Sequence, residues 1–238
     1  MPATAKIGIL FIALLALAGC EEERVVVIEC AGPDLGLDGT WFGAMEDGGG
    51  DLFTLEWQIC GDSITREVVG GFGSGVSGRL WRAGPDTWEG RLSDGTEFHL
   101  LTDPGRRHAM MVNEHFEFAV LENGALGLPG YFFSDLDGAW SGRHARLGWN
   151  SPELWDAWML CEDGVCDSED TSGTFATLWF DALAEDYGLY RGEFVDSWNA
   201  SGLAGALMSP DLLFLGTYTC PSGYRGPEDC IFGALEFD

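Results

Sequence analysis

Positive charge is what this sequence has least of. Lys6 is its one lysine. Lysine and arginine together number 12 against 39 aspartates and glutamates, a formal charge of −27. A protein held to nucleic acid by phosphate contacts needs a basic face, so that class is excluded. Long apolar runs are scarce too. The main one, residues 7–16, falls short of the roughly 20 residues a spanning helix requires. Nucleophile and phosphate-binding signatures are missing: there is no G-x-S-x-G, no P-loop, no H-E-x-x-H. Gly73-Ser74-Gly75-Val76-Ser77-Gly78 reads as a flexible loop or bulged strand. No CxxC pair is present, and no histidine stands at zinc-ligand spacing from a cysteine. The expectation is no catalytic set, no metal and no cofactor.

What is present begins with an export signal. Lys6, a short apolar core and small residues form the layout of a secretory leader over residues 1–19. It runs into Leu17-Ala18-Gly19-Cys20. That tetrapeptide resembles the lipobox of bacterial lipoproteins. The resemblance implies cleavage before Cys20, lipid on its thiol and new amino group, and a stable membrane anchor without a transmembrane helix. In that family an Asp after the cysteine favours inner-membrane retention. Here Glu21 follows, so the resemblance implies a place in the bacterial cell envelope, at the outer membrane. Loss of the leader would leave 11 arginines and no lysine against the same 39 acids, a charge of −28.

Seven cysteines are an odd number, and a lipidated Cys20 leaves six. An even set in an exported chain predicts disulfides. Spacing favours local pairs: Cys161 with Cys166 across an Asp-Gly turn, Cys220 with Cys230 around a Pro/Gly loop, and then Cys30 with Cys60.

The chain also repeats. Leu37-Asp38-Gly39-Thr40-Trp41-Phe42-Gly43 matches Leu136-Asp137-Gly138-Ala139-Trp140-Ser141-Gly142. Trp57-Gln58-Ile59-Cys60 matches Trp158-Met159-Leu160-Cys161, and Leu80-Trp81 matches Leu178-Trp179. The division is a tether at 20–35, a module at 36–123, a Gly/Pro-rich linker at 124–134 and a module at 135–238. Within the first module, Phe53, Leu55, Trp57 and Ile59 alternate with their neighbours, the period of a half-buried strand. Turn signals recur about every ten residues. The fold class is therefore all-β: two tandem antiparallel up-and-down barrels of about eight short strands, with flattened sandwiches as the alternative. The Gly-x-Trp that opens each module is similar to the first strand of lipocalin and avidin-type barrels. The similarity implies a Trp packed across one barrel end. Strands this short leave little interior beyond a packed core.

Several residues could carry chemistry. His99, His108 and His115 fall on neighbouring strands and could gather as ligands or an acid–base pair. Asp47 with Asp51, and Asp163 with Asp167, Glu169 and Asp170, could hold calcium; they read better as solvated turns. Of Trp149, Trp155, Trp158, Trp179 and Trp198, most belong in a core. Trp149, in a Trp-Asn-Ser-Pro loop, is the best exposed aromatic. The leading expectation is a non-enzymatic, lipid-anchored binding module for a protein or a glycan, with Trp149, His99 and His108 as candidate binding residues. Its acidic surface favours a basic partner. The alternatives are an envelope hydrolase using a carboxylate pair or His99 and His108, and a structural accessory subunit.

Overall fold

The computed structural model describes residues 33–69, 75–147 and 152–238. Cys20, Cys30 and Trp149 lie outside them. The described chain forms two closed eight-stranded antiparallel barrels in tandem. The first is β1 (Gly39–Glu46), β2 (Leu52–Cys60), β3 (Ser63–Val68), β4 (Val76–Gly84), β5 (Thr87–Leu92), β6 (Glu97–Thr102), β7 (His108–Asn113) and β8 (Phe118–Asn123). The second is β9 (Gly138–Arg146), β10 (Glu153–Glu162), β11 (Val165–Asp170), β12 (Phe175–Ala184), β13 (Leu189–Asp196), β14 (Ser201–Met208), β15 (Phe214–Pro221) and β16 (Ile231–Phe237). Each strand pairs with the next, and the last pairs with the first, so no edge is left open.

The Asp-Gly-x-Trp-x-Gly repeat does the same physical work twice. Gly39 and Gly138 stand at φ +144° and +139°, backbone that side-chain-bearing residues avoid. Trp41 and Trp140 are buried, and each indole N–H donates to the carbonyl four residues earlier, Leu37 at 2.8 Å and Leu136 at 3.0 Å. At Gly43 and Gly142 a Cβ would strike the carbonyl of Val120 or Ala234 on the strand that closes the barrel. The motif thus marks the seam of each barrel.

The second sequence match is out of phase by one residue. Trp41 pairs with Trp57, and Trp140 with Met159, so the counterpart of Trp57 is Met159 and not Trp158. A one-residue slip exchanges the faces of a strand. Trp57 and Met159 therefore point into their barrels, while Trp158 is 50% exposed. The third match is in phase. Leu80 and Leu178 are buried, Trp81 and Trp179 point out, and a bulge follows at Arg82/Gly84 and at Phe180/Ala182.

The expectation that most of Trp149, Trp155, Trp158, Trp179 and Trp198 are core fails among the described residues. Trp158 and Trp179 occupy outward positions of β10 and β12, and Trp198 stands in the β13–β14 turn, 78% exposed. Trp155 is partly buried.

The barrels do not hang on a free linker. The described residues of both barrels belong to one compact unit. Met110, Val112, Phe118 and Val120 on the outer face of β7 and β8 pack against Leu207, Phe214, Tyr218 and Phe232. This makes every residue of β7 buried, so its pattern carries no alternation. Tyr131, within the 124–134 segment, is fully buried in the second barrel's core. Two disulfides are formed among the described residues, Cys161–Cys166 and Cys220–Cys230. Cys60 is also disulfide-bonded.

Candidate functional site

His99 and His108 do not come together. His99 stands opposite Val112, four residues along β7 from His108, about 13 Å at the rise of a strand. Each sits in a different setting.

His108 lies where the barrels meet. Its Nε2 is 3.0 Å from both carboxylate oxygens of Asp211, in the β14–β15 turn, and its Nδ1 is 3.4 Å from Asp103. Its ring stacks on Phe214, centroids 5.3 Å apart. Burial alone would lower the His108 pKa. Hydrogen bonds to and the charges of Asp103 and Asp211 outweigh that and raise it. Burial likewise opposes ionisation of Asp103 and Asp211; contact with His108 reverses it at Asp103, and the Ser209 hydroxyl together with His108 reverses it at Asp211, so both are lowered. His108, Glu122 and Asp211 present ligand atoms within 4.8 Å of one another, close enough for a metal. Arg107 already fills that role. Its Nη2 bridges Glu122 at 2.9 Å and Asp211 at 3.0 Å. The cluster is an electrostatic clamp between barrels.

A second clamp stands at Glu46. Arg191 of the second barrel donates to Glu46 Oε1 at 2.7 Å and to the Gly50 carbonyl at 2.7 Å. The Tyr218 hydroxyl donates to Glu46 Oε2 at 3.0 Å.

His144, Ser168 and Asp170 form an arrangement the sequence does not reveal, because two strands that are not neighbours in the chain, β9 and β11, supply it. His144 Nδ1 is 3.1 Å from Asp170 Oδ2, and its Nε2 is 3.5 Å from Ser168 Oγ. Burial would raise the Asp170 pKa; hydrogen bonds from His144 and Ser172 and the His144 charge bring it to about 2. The order serine–imidazole–carboxylate is that of an acyl-transfer triad. The space is not. Ser168 is buried, and the cavity it lines inside the second barrel holds about 30 Å³, room for one water. These groups satisfy one another in a closed lumen.

Asp47 caps its own turn by accepting from Gly49 and Asp51, each at 2.9 Å, which accounts for that acidic loop without calcium. Asp163 holds the Asp-Gly turn at φ +49°, and Asp167 and Glu169 point outward while Asp170 points in.

Two open surfaces set exposed tryptophans beside carboxylates. The first is a cleft of about 350 Å³ between the β4–β7 wall of the first barrel and residues 225–228 of the second. Trp81, Glu89, Glu97, His99, Glu114 and Glu228 line it. The second is the outer wall of β10–β14. Register puts Trp158, Glu169 and Phe175 in one row, Leu160, Asp167, Thr177 and Val195 in the next, then Val165, Trp179, Glu193 and Leu203. Aromatic and aliphatic side chains therefore alternate with exposed carboxylates. Between residues 152 and 224 the one basic residue is Arg191, which is committed to Glu46. Exposed tryptophans were the missed signal: the period-two pattern of β12 already sets Trp179 opposite Leu178 in direction.

Among the described residues no helix is long and apolar enough to cross a membrane. No protein-family model and no curated protein matches the chain. Among solved structures it is similar to a protein of unknown function of the DUF3598 family from Nostoc punctiforme. That match has 9% identity and a TM-score of 0.39, over 84% of this chain and 96% of that one.

Proposed function

We propose that this protein is a lipid-anchored component of the bacterial cell envelope, held at the outer membrane through Cys20, that binds a basic protein without catalysing a reaction. The observation that carries the reading is the β10–β14 wall, where Trp158, Phe175 and Trp179 stand among Asp167, Glu169 and Glu193 with no free basic side chain. Arginine and lysine side chains gain twice on such a surface, from the carboxylates and from the aromatic faces. The disulfides fit an oxidising compartment, and Leu17-Ala18-Gly19-Cys20 supplies the anchor.

The test uses lysozyme as a basic probe and its acetylated, charge-depleted form as the control. Binding that weakens at least about tenfold between low and high salt, and that falls in Trp158→Ala and Trp179→Ala, supports the reading. Binding insensitive to salt, or retained by both variants, overturns the wall as the docking surface. Binding of a glycan panel instead of the basic probe would replace the partner class. Mass spectrometry of the membrane fraction checks the anchor: the expected species begins at Cys20 and carries acyl chains.

A further inference from the structure

We propose that the cleft between the barrels is a binding site for a guanidinium group, such as an arginine side chain. It is separate from the β10–β14 wall and goes beyond the docking reading. The cleft is built from both barrels and encloses about 350 Å³. Four carboxylates line it, those of Glu89, Glu97, Glu114 and Glu228, against one guanidinium, Arg225. Arg225 is largely solvent-exposed and leans towards Asp229 at 3.8 Å.

Trp81 supplies an aromatic face. Its indole N–H donates to Glu89 Oε2 at 3.0 Å, which fixes the ring and leaves Oε1 of Glu89 without that bond. His99 Nδ1 lies 3.9 Å from Glu89 Oε1, and this buried nitrogen has no hydrogen-bond partner among the described residues. Burial lowers the His99 pKa, so the ring adds no positive charge to oppose a cation. The cleft thus sets an oriented indole beside excess negative charge.

The arrangement selects the shape of the cation. Among the described residues, the group of carboxylates and imidazole that converges tightly enough for a metal ion is His108, Glu122 and Asp211, and none of these lines the cleft. Dispersed carboxylates suit a planar cation with several N–H donors that can also stack on an indole. Guanidinium meets all three requirements, and a compact ammonium does not.

The test is calorimetric titration of the intact protein with arginine amide, against citrulline amide, its neutral isostere. The expected result is binding of arginine amide at least about tenfold tighter than citrulline amide, weakened about tenfold by Glu89→Gln and by Trp81→Ala. Both variants alter exposed or half-exposed side chains, and an unchanged circular dichroism spectrum and urea midpoint show that they remain folded. Equal binding of the two amides, no binding at millimolar concentration, or full binding in folded Glu89→Gln overturns the proposal. Lysine amide binding as tightly as arginine amide overturns the selection of guanidinium. Trp158→Ala leaves arginine amide binding unchanged, so failure of the wall and failure of the cleft are separable.

Discussion

Single side chains divide the burden of these barrels unequally, even where burial is the same. Trp41 and Trp57 are cross-strand partners in the first barrel, and both are fully buried. The indole N–H of Trp41 is bonded to the Leu37 carbonyl, whereas that of Trp57 has no partner among the described residues. Replacing either with phenylalanine leaves a comparable void. Trp41→Phe also strands a buried carbonyl, and Trp57→Phe removes a donor already unmet. Trp41→Phe should therefore be less stable than Trp57→Phe by about 1–3 kcal/mol, read from urea midpoints at unchanged slope. Equal losses would mean that the indole bond at the barrel seam adds nothing. Asp170 is the polar counterpart. It accepts from His144 and from Ser172 and Thr174 of the β11–β12 turn, and Asp170→Ala would leave the His144 Nδ1 without this partner inside the barrel.

Strands were legible in the sequence where one face meets water. Leu55, Trp57 and Ile59 alternate with exposed or half-exposed neighbours, and β2 follows that alternation. Turn signals at Gly61-Asp62, Ser93-Asp94-Gly95 and Asp103-Pro104-Gly105 fall between consecutive strands. Legibility ends at β7 and β8, which serve two cores at once. Ala109 and Met111 fill the first barrel while Met110 and Val112 pack against the second. A sequence of eight-stranded units says nothing of which outer face is covered, so the docked pair was not readable. The cleft and the clamps share that origin, since barrel contact creates them. Gly216 on β15 shows how tight the contact is. A Cβ there would lie 2.5 Å from Val120 Cγ2 and 3.0 Å from Phe118 Cζ. Gly216→Val should destabilise by about 1–3 kcal/mol through overpacking. Scanning calorimetry should then split one unfolding transition into two as docking weakens. A single unshifted transition would show that the contact tolerates the extra methyls.

At the scale of the whole molecule, charge and docking oppose each other. Thirty-nine carboxylates repel one another at neutral pH, yet the barrels are joined by clamps that place carboxylates in the interface. The His108 clamp resolves this by supplying positive charge, and it does so in a defined pH range. The His108 pKa is raised in the folded protein. Its contribution is therefore complete below its unfolded value, near 6.5, and is lost as pH rises through the higher folded value. Those of Asp103 and Asp211 are lowered. Their contributions are present above about pH 3.8 and are lost as pH falls through their folded values. The clamp is thus strongest between roughly pH 4 and 6.5. Loss of self-repulsion on acidification acts over the whole surface, so the wild-type curve alone does not isolate the clamp. The difference between wild type and His108→Gln does. The stability advantage of wild type should be greatest near pH 5–6 and shrink steadily towards pH 9, measured by urea unfolding at fixed ionic strength. An advantage independent of pH would mean that His108 acts through its stacking on Phe214 rather than through its charge.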